Sequence, residues 1–253
     1  MTKRIIEVRN ASKLFKDGRA TVHALDAVNI SFNEDDFICL VGPSGCGKST
    51  LLNVFAGFEQ LDSGQVSMFG STLQGPSVDR TMVFQEYALF PWMTVYQNIE
   101  FGLLHKEGVS ASDRADIIKR YLSVIELEVF EHKYPHQLSG GMRQRVAIAR
   151  ALAVDPRLLL MDEPFAALDS FTREKMQDEL LRILARENAA VVFVTHSIEE
   201  ALKLADVIVV MSPRPGRVVK EIRLNSQKPR DLSDPDIVET GRCIRELLHA
   251  TSS

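Results

Sequence analysis

Cysteine is scarce in this 253-residue sequence, with only Cys39, Cys46 and Cys243. Thiols so far apart have neither metal-ligand spacing nor the density of a disulfide framework, so burial must hold the fold. Long apolar runs are missing too. No stretch approaches the roughly 18 residues of a membrane-crossing helix. Met1 to Asn10 sets Lys3, Arg4, Glu7 and Arg9 among alternating apolar residues, the pattern of a strand and not of a signal peptide. Positive charge is not in excess. Thirty Lys and Arg against 34 Asp and Glu give a formal charge of −4, and no basic run is interleaved with aromatics. Nucleic acid is therefore a poor partner. A chain that is 45% hydrophobic and 25% charged has ordinary globular composition, enough for one large core or one core with a small insert. The expected location is the cytoplasm.

What is present is concentrated in one stretch, Gly42-Pro43-Ser44-Gly45-Cys46-Gly47-Lys48-Ser49-Thr50, which fits G-x-x-x-x-G-K-[ST] at every fixed position. Asp36 to Val41 before it reads as a buried strand. Lys48 onward reads as a helix closed by Gly57. Strand, glycine-rich turn and helix aim backbone N–H groups and the positive end of a helix dipole at one spot, which suits phosphate. Gly42, Gly45 and Gly47 let the chain close around phosphate oxygens, Lys48 can reach the β and γ phosphates, and the Ser49 hydroxyl can ligate Mg²⁺.

Either side of that stretch, Arg4 to Val8 and His23 to Phe32 alternate as antiparallel strands around a Lys16-Asp17-Gly18-Arg19 turn, and Gln65 to Phe69 and Arg80 to Phe84 read as two more. Phe15 could stack on a nucleobase, although spacing alone favours a core position. Gln85 follows a strand end, where a neutral amide can complete a Mg²⁺ shell or orient water. Leu158 to Met161 form an apolar strand ending in Asp162 and Glu163, placed to hold Mg²⁺ and to polarise an attacking water. Thr172 to Glu187 has the spacing of an amphipathic helix. Ala190 to Thr195 is another buried strand and delivers His196 to the carboxyl edge, where open parallel sheets place ligands. Ser197 and Glu200 have capping-box spacing for the next helix.

Residues 86–153 differ in character. Val95 to Leu104, Ser112 to Ile125 and Leu138 to Ala153 carry helical spacing, which predicts a helical insert between strands of one sheet. Within it Ala88-Leu89-Phe90-Pro91-Trp92-Met93 puts three large apolar side chains in a loop; such a cluster more often packs against its own helices, but the chain's only Trp in a Pro-containing loop also fits a docking surface for a partner. Leu138-Ser139-Gly140-Gly141 opens the last helix with a capping serine and two glycines that leave its N-terminus uncovered. This second phosphate-binding helix end suggests that each serves a nucleotide held mainly by another copy of the chain.

Taken together, from about Arg4 to Leu224, these motifs resemble the nucleotide-binding subunits of the ATP-binding cassette family, with Leu138-Ser139-Gly140-Gly141 as the discriminating signature. The resemblance implies ATP and Mg²⁺ as cofactors, Phe15 as the adenine-stacking aromatic, Gln85 as the metal- and partner-sensing glutamine, and Glu163 as the general base. Asp169 becomes the aspartate of an inter-subunit turn and His196 the switch histidine. It also implies a head-to-tail dimer with ATP sandwiched between copies. Leu89-Phe90-Pro91-Trp92, Met142-Arg143-Gln144-Arg145 and Ser212-Pro213-Arg214-Pro215-Gly216-Arg217 are similar to the ATPases of nitrate, sulfonate and taurine importers. From that group come the implied permease subunits, an indirect solute-binding protein, and a place on the cytoplasmic face of the membrane. Asp35-Asp36 where the family usually has Gly-Glu, and Met142 where Gln is common, are departures; the first is expected to alter only a turn. The fold expected is α/β, a P-loop NTPase core with a RecA-like, mostly parallel sheet, an antiparallel β subdomain and an inserted α-helical subdomain. Its boundaries are residues 1–85 and 154–224 for the core, 86–153 for the helical part and 225–253 for a tail helix. The rival reading is a soluble cassette ATPase that remodels a protein or nucleic-acid complex. A phosphate-loop kinase would leave the signature and His196 without a role.

Overall fold

A computed structural model describes residues 4–18, 20–104, 106–228 and 230–251. Lys3 of the expected first strand and Arg19 of the expected turn lie outside the described residues. Contacts divide the chain into two compact units, Met1–Ser77 with Ala190–Ser253, and Val78–Ala189.

The first unit begins with β1 (Arg4–Asp17), β2 (Ala20–Asn33), β3 (Phe37–Val41), α1 (Lys48–Ala56), β4 (Ser63–Met68) and β5 (Ser71–Thr72). The second holds β6 (Arg80–Val83), α2 (Val95–Leu103), α3 (Ala111–Val124), α4 (Gly140–Leu152), β7 (Leu158–Asp162) and α5 (Ser170–Leu184). The chain then returns to the first with β8 (Ala190–Thr195), α6 (Ile198–Leu204), β9 (Val207–Met211), β10 (Val218–Arg223) and α7 (Pro235–Thr251).

In the first unit β2-β1-β4-β5 form an antiparallel sheet. β1 and β2 run well past the expected segments because bulges between Val8 and Leu14 absorb the irregular pattern. The other strands run β10-β9-β3-β8, with β3 parallel to both β8 and β9 and β10 antiparallel at one edge. Every residue of β3, β8 and β9 is buried, as expected of strands covered on both faces. One carboxylate and two backbone bonds tie their amino ends: the Phe37 amide donates to Asp206 Oδ2 at 2.9 Å, the Asp206 amide to Phe37 O at 2.7 Å, and the Val191 amide to Asp36 O at 3.2 Å. Asp36 does more than shape a turn, since Arg223 donates to both its oxygens at 2.8 and 3.1 Å. Burial pushes that carboxyl up, but the hydrogen bonds from Arg223 and Asn33 outweigh it and hold the pKa below the ordinary value. α7 buries Ile237 and Ile244, and Gly241 lets it approach α6 so closely that a Cβ there would sit 3.0 Å from Leu202 Cδ1.

In the second unit β6 and β7 pair in parallel, from Arg80 opposite Leu158 to Val83 opposite Met161. Reciprocal capping boxes fix the starts of α2, through Thr94 and Gln97, and of α3, through Ser110 and Asp113. Residues 86–153 carry α2, α3 and α4, while the compact unit around them also takes in β6, β7 and α5. Among the described residues no helix is long and apolar enough to cross a membrane.

Candidate functional site

The phosphate-binding stretch closes as its glycines permit. Gly45 and Gly47 take φ of 73° and 98°, a region costly for any side chain. Gly42 is needed for space, because a Cβ there would lie 2.9 Å from Met211 O. Gly47 caps α1 with no side-chain hydrogen bond, so first-turn N–H groups are left for an external anion. Lys48 is buried at 5% exposure, and its ammonium donates to Gly42 O at 2.8 Å and Pro43 O at 3.0 Å. Pro43 is half-buried, Ser44 and Ser49 are exposed and Thr50 is half-buried along the same turn.

Register brings His196 to the same edge. Val41 is the pairing partner of Thr195, so Gly42 and His196 each lie one residue past a paired position on adjacent parallel strands. His196 is exposed, whereas Thr195 is buried and hydrogen-bonded through its hydroxyl to Glu200. The expected capping box at α6 is therefore half formed: Ser197 Oγ accepts from the Glu200 amide at 3.3 Å, but the Glu200 carboxylate is taken by Thr195. Phe15 is not a core residue. It is 37% exposed near the end of β1, with the Lys13 ammonium 5.1 Å from its ring centroid.

Cys46 is fully buried in the loop, 3.8 Å from Lys48 Nζ, and burial pushes its thiol pKa up. We expect alkylation by N-ethylmaleimide to be slow at pH 7, faster at pH 9 and slowed further by ADP, with half-exposed Cys243 modified first. Intact-mass time courses check this; rapid modification of Cys46 at neutral pH, indifferent to ADP, would contradict it.

In the second unit β7 ends at half-buried Asp162, and Glu163 follows with φ of 43°. A non-glycine residue held in the left-handed region is a strained position of the kind that clusters at functional sites. Val83 pairs with Met161, so exposed Gln85 and Asp162 leave neighbouring parallel strands at one edge. Ser139 caps α4, its Oγ accepting from the Met142 amide at 3.3 Å. The two glycines after it serve packing. A Cβ on Gly140 would stand 3.3 Å from Leu168 Cδ2, and one on Gly141 would stand 3.2 Å from Thr172 Cγ2. These contacts seat the signature turn against the turn of Asp169, which caps α5 by accepting from the Thr172 amide at 3.0 Å. That amide holds the exposed Asp169 carboxyl below its ordinary pKa.

Two organising residues escaped the sequence reading. Asn98 of α2, fully buried, donates to Phe90 O, Met93 O and Thr94 O and accepts from the Phe90 amide, which fixes the loop before its helix. Arg150 of α4 donates to Ala88 O at 2.7 Å and Tyr87 O at 3.2 Å, and its guanidinium lies 5.5 Å from the Phe90 ring centroid. Together they hold a loop in which Tyr87 and Ala88 take φ of 50° and 47° and Trp92 is left 69% exposed. A polar residue at a core position of a helix was the available signal for both.

A glycine-rich turn that leaves the first amides of a helix uncapped, with a lysine anchored inside it, is the arrangement of a phosphate-binding loop. The family model described as ABC transporter matches residues 25–166, over half of the chain. The chain belongs to that family, as one of its ATP-binding, ATP-hydrolysing subunits. It is 46% identical over 220 residues to the nitrate import ATP-binding protein of a Synechocystis species, covering 87% of this chain and 82% of the relative. It is 45% identical over 257 aligned residues to the taurine import ATP-binding protein of Rhizobium johnstonii, covering 98% and 97%. Among solved structures, a dimeric ATP-binding cassette in a post-hydrolysis state with ADP and Pi superposes with a TM-score of 0.76 at 34% identity, covering 88% of this chain and all of that one.

Proposed function

We propose that this chain energises a membrane importer for a small anion or organic solute of the nitrate, sulfonate or taurine type, from the cytoplasmic face. The observation that carries the reading is the loop after Gln85. It is pinned by Asn98 and Arg150 and presents Trp92 outward, so one rigid segment joins a nucleotide-sensing amide to an aromatic docking surface. The names of the nitrate and taurine relatives support the solute class.

In this reading Phe15 stacks on adenine, while the amides of Gly42 to Thr50 and the Lys48 ammonium hold the phosphates. Ser49, Gln85 and Asp162 offer only oxygen donors of the kind a hard cation takes, and would hold Mg²⁺, which supplies charge neutralisation at the β and γ phosphates when bound. Glu163 accepts the proton of the attacking water and His196 steadies the γ phosphate in line with it. Ser139, Gly140 and Gly141 of a second copy close over the triphosphate, with Asp169 at the same junction, in a head-to-tail dimer; the solved relative with ADP and Pi is likewise dimeric. Residues 86–153 form the part that meets the permease, and a solute-binding protein acts on its other side.

The test is to tag the chain, solubilise native membranes in detergent and identify co-purifying proteins by quantitative mass spectrometry. A polytopic membrane protein recovered in equal amount is the expected result. Trp92→Ala should reduce its recovery about tenfold or more, as for an aromatic anchor at an interface, with the thermal midpoint unchanged. Recovery of soluble partners alone would favour the remodelling ATPase instead.

A further inference from the structure

The Ser212-Pro213-Arg214-Pro215-Gly216-Arg217 stretch between β9 and β10 touches no part of the chemistry described above, yet it is built against the phosphate loop. Its base is strapped to β2: the Gly216 amide donates to Ala24 O and the Asp26 amide to Gly216 O, both at 3.0 Å. Arg217 pairs with Asp26 through both Nε and Nη2. The turn is closed on itself by the Arg217 amide donating to Ser212 Oγ at 3.0 Å and by Ser212 Oγ donating to Pro215 O at 3.0 Å.

Two consecutive carbonyls of the phosphate loop face this turn. A Cβ on Gly216 would fall 2.0 Å from Cys46 O, so only glycine fits against that carbonyl. Arg214 Nε donates to Gly45 O at 3.3 Å, and its Nη2 lies 3.0 Å from where a Gly45 Cβ would be. In a planar trans peptide the N–H points opposite to the C=O. Carbonyls 45 and 46 turned outward therefore commit the amides of Cys46, which reaches Pro43 O at 3.3 Å, and of Gly47 to the interior of the loop. A Cβ on Gly47 would stand 2.6 Å from Ala24 O, the same carbonyl that accepts from the Gly216 amide, so β2 and the 212–217 turn back the loop together. Among the described residues no carboxylate pairs with Arg214, which leaves its positive charge beside the loop unneutralised.

We propose that the 212–217 turn is a brace on the outer face of the phosphate loop, and that Arg214 is its positioning residue. It fixes the direction of the inward amides and adds positive potential to the anion site without touching the nucleotide. The proposal rests on the assignment of Gly42 to Thr50 as the phosphate site.

The test uses the full chain. In Arg214→Ala the KM for ATP and the Kd for ADP should each rise about five- to tenfold, the scale of one partly exposed charge-assisted hydrogen bond, while kcat stays within twofold. Arg214→Lys should recover affinity to within about twofold. Gly216→Ala, pressing on the Cys46 carbonyl, should weaken ADP binding by more than Arg214→Ala does. Unchanged ADP affinity in Arg214→Ala would overturn the proposal. So would a parallel loss of kcat and thermal midpoint with no selective change in affinity, which marks a role in the fold alone. Absence of ADP binding by the unsubstituted chain would instead remove the phosphate-site assignment, and the brace with it.

Discussion

Glu163→Gln is expected to lower ATP turnover about 10³-fold, the scale of a lost general base, while leaving ATP binding intact. The amide keeps the shape of the carboxylate but cannot accept the proton that water must lose. With ATP bound and not cleaved, the variant should accumulate as a dimer on size exclusion in ATP and Mg²⁺ and return to monomer in ADP. Backbone geometry makes the position hard to replace from a neighbour. Glu163 holds φ of 43° directly after β7, and its carbonyl accepts from the Ala166 amide at 3.1 Å, so the side chain is issued from a fixed corner. Wild-type turnover in Glu163→Gln would sink the general-base assignment.

Lys48→Ala should weaken ATP and ADP binding by on the order of 100-fold or more, the cost of a buried charged donor removed from its anion. Two losses combine. The phosphates lose their cation, and the carbonyls of Gly42 and Pro43 lose the donor that reaches them at 2.8 and 3.0 Å. Lys48→Met suffers both but keeps an apolar stem in the buried space behind the loop, so it sets the loss of packing apart from them. Both variants should fail to bind nucleotide by isothermal titration, and the Met variant should keep the higher thermal midpoint. ADP binding retained near the wild-type level in Lys48→Met would show that the amides alone suffice.

The parts of this chain that chemistry places by local spacing were legible in the sequence. The β3 strand, the glycine turn and the α1 helix from Lys48 to Ala56, closed by Gly57, stand where the spacing predicts, as does β8 with His196 after it. Phe15 shows the limit of spacing: its alternation fits a core position, yet it lies near the end of β1, 37% exposed, with the Lys13 ammonium over its ring. Ser197 and Glu200 show another, since a carboxylate one turn into a helix has more than one donor within reach, and the buried Thr195 hydroxyl takes it. The partners of Asn98, Arg150 and Arg214 could not be read from the sequence, for a common reason. Each bonds backbone carbonyls, which carry no residue identity, and Arg150 and Arg214 do so 62 to 169 positions away along the chain. Asp36 belongs with them, because its partner Arg223 lies 187 residues on.

β3, β8 and β9 are apolar on both faces, and that uniformity has a price at the far end of the strands. Where one face is wet, a slip of one residue exposes the core and is rejected by water; here a slipped strand would stay just as dry. Alignment must then come from the ends. Asp206 grips the Phe37 amide on one side, and the carbonyl of Asp36 takes the Val191 amide on the other, like stops on a slide rule. A slip of one position would move His196 by about 3.3 Å relative to Gly42, a full hydrogen-bond length. A carboxylate and a backbone carbonyl roughly 16 Å from the Gly42 edge, at five residues of about 3.3 Å each, therefore calibrate a distance they never touch.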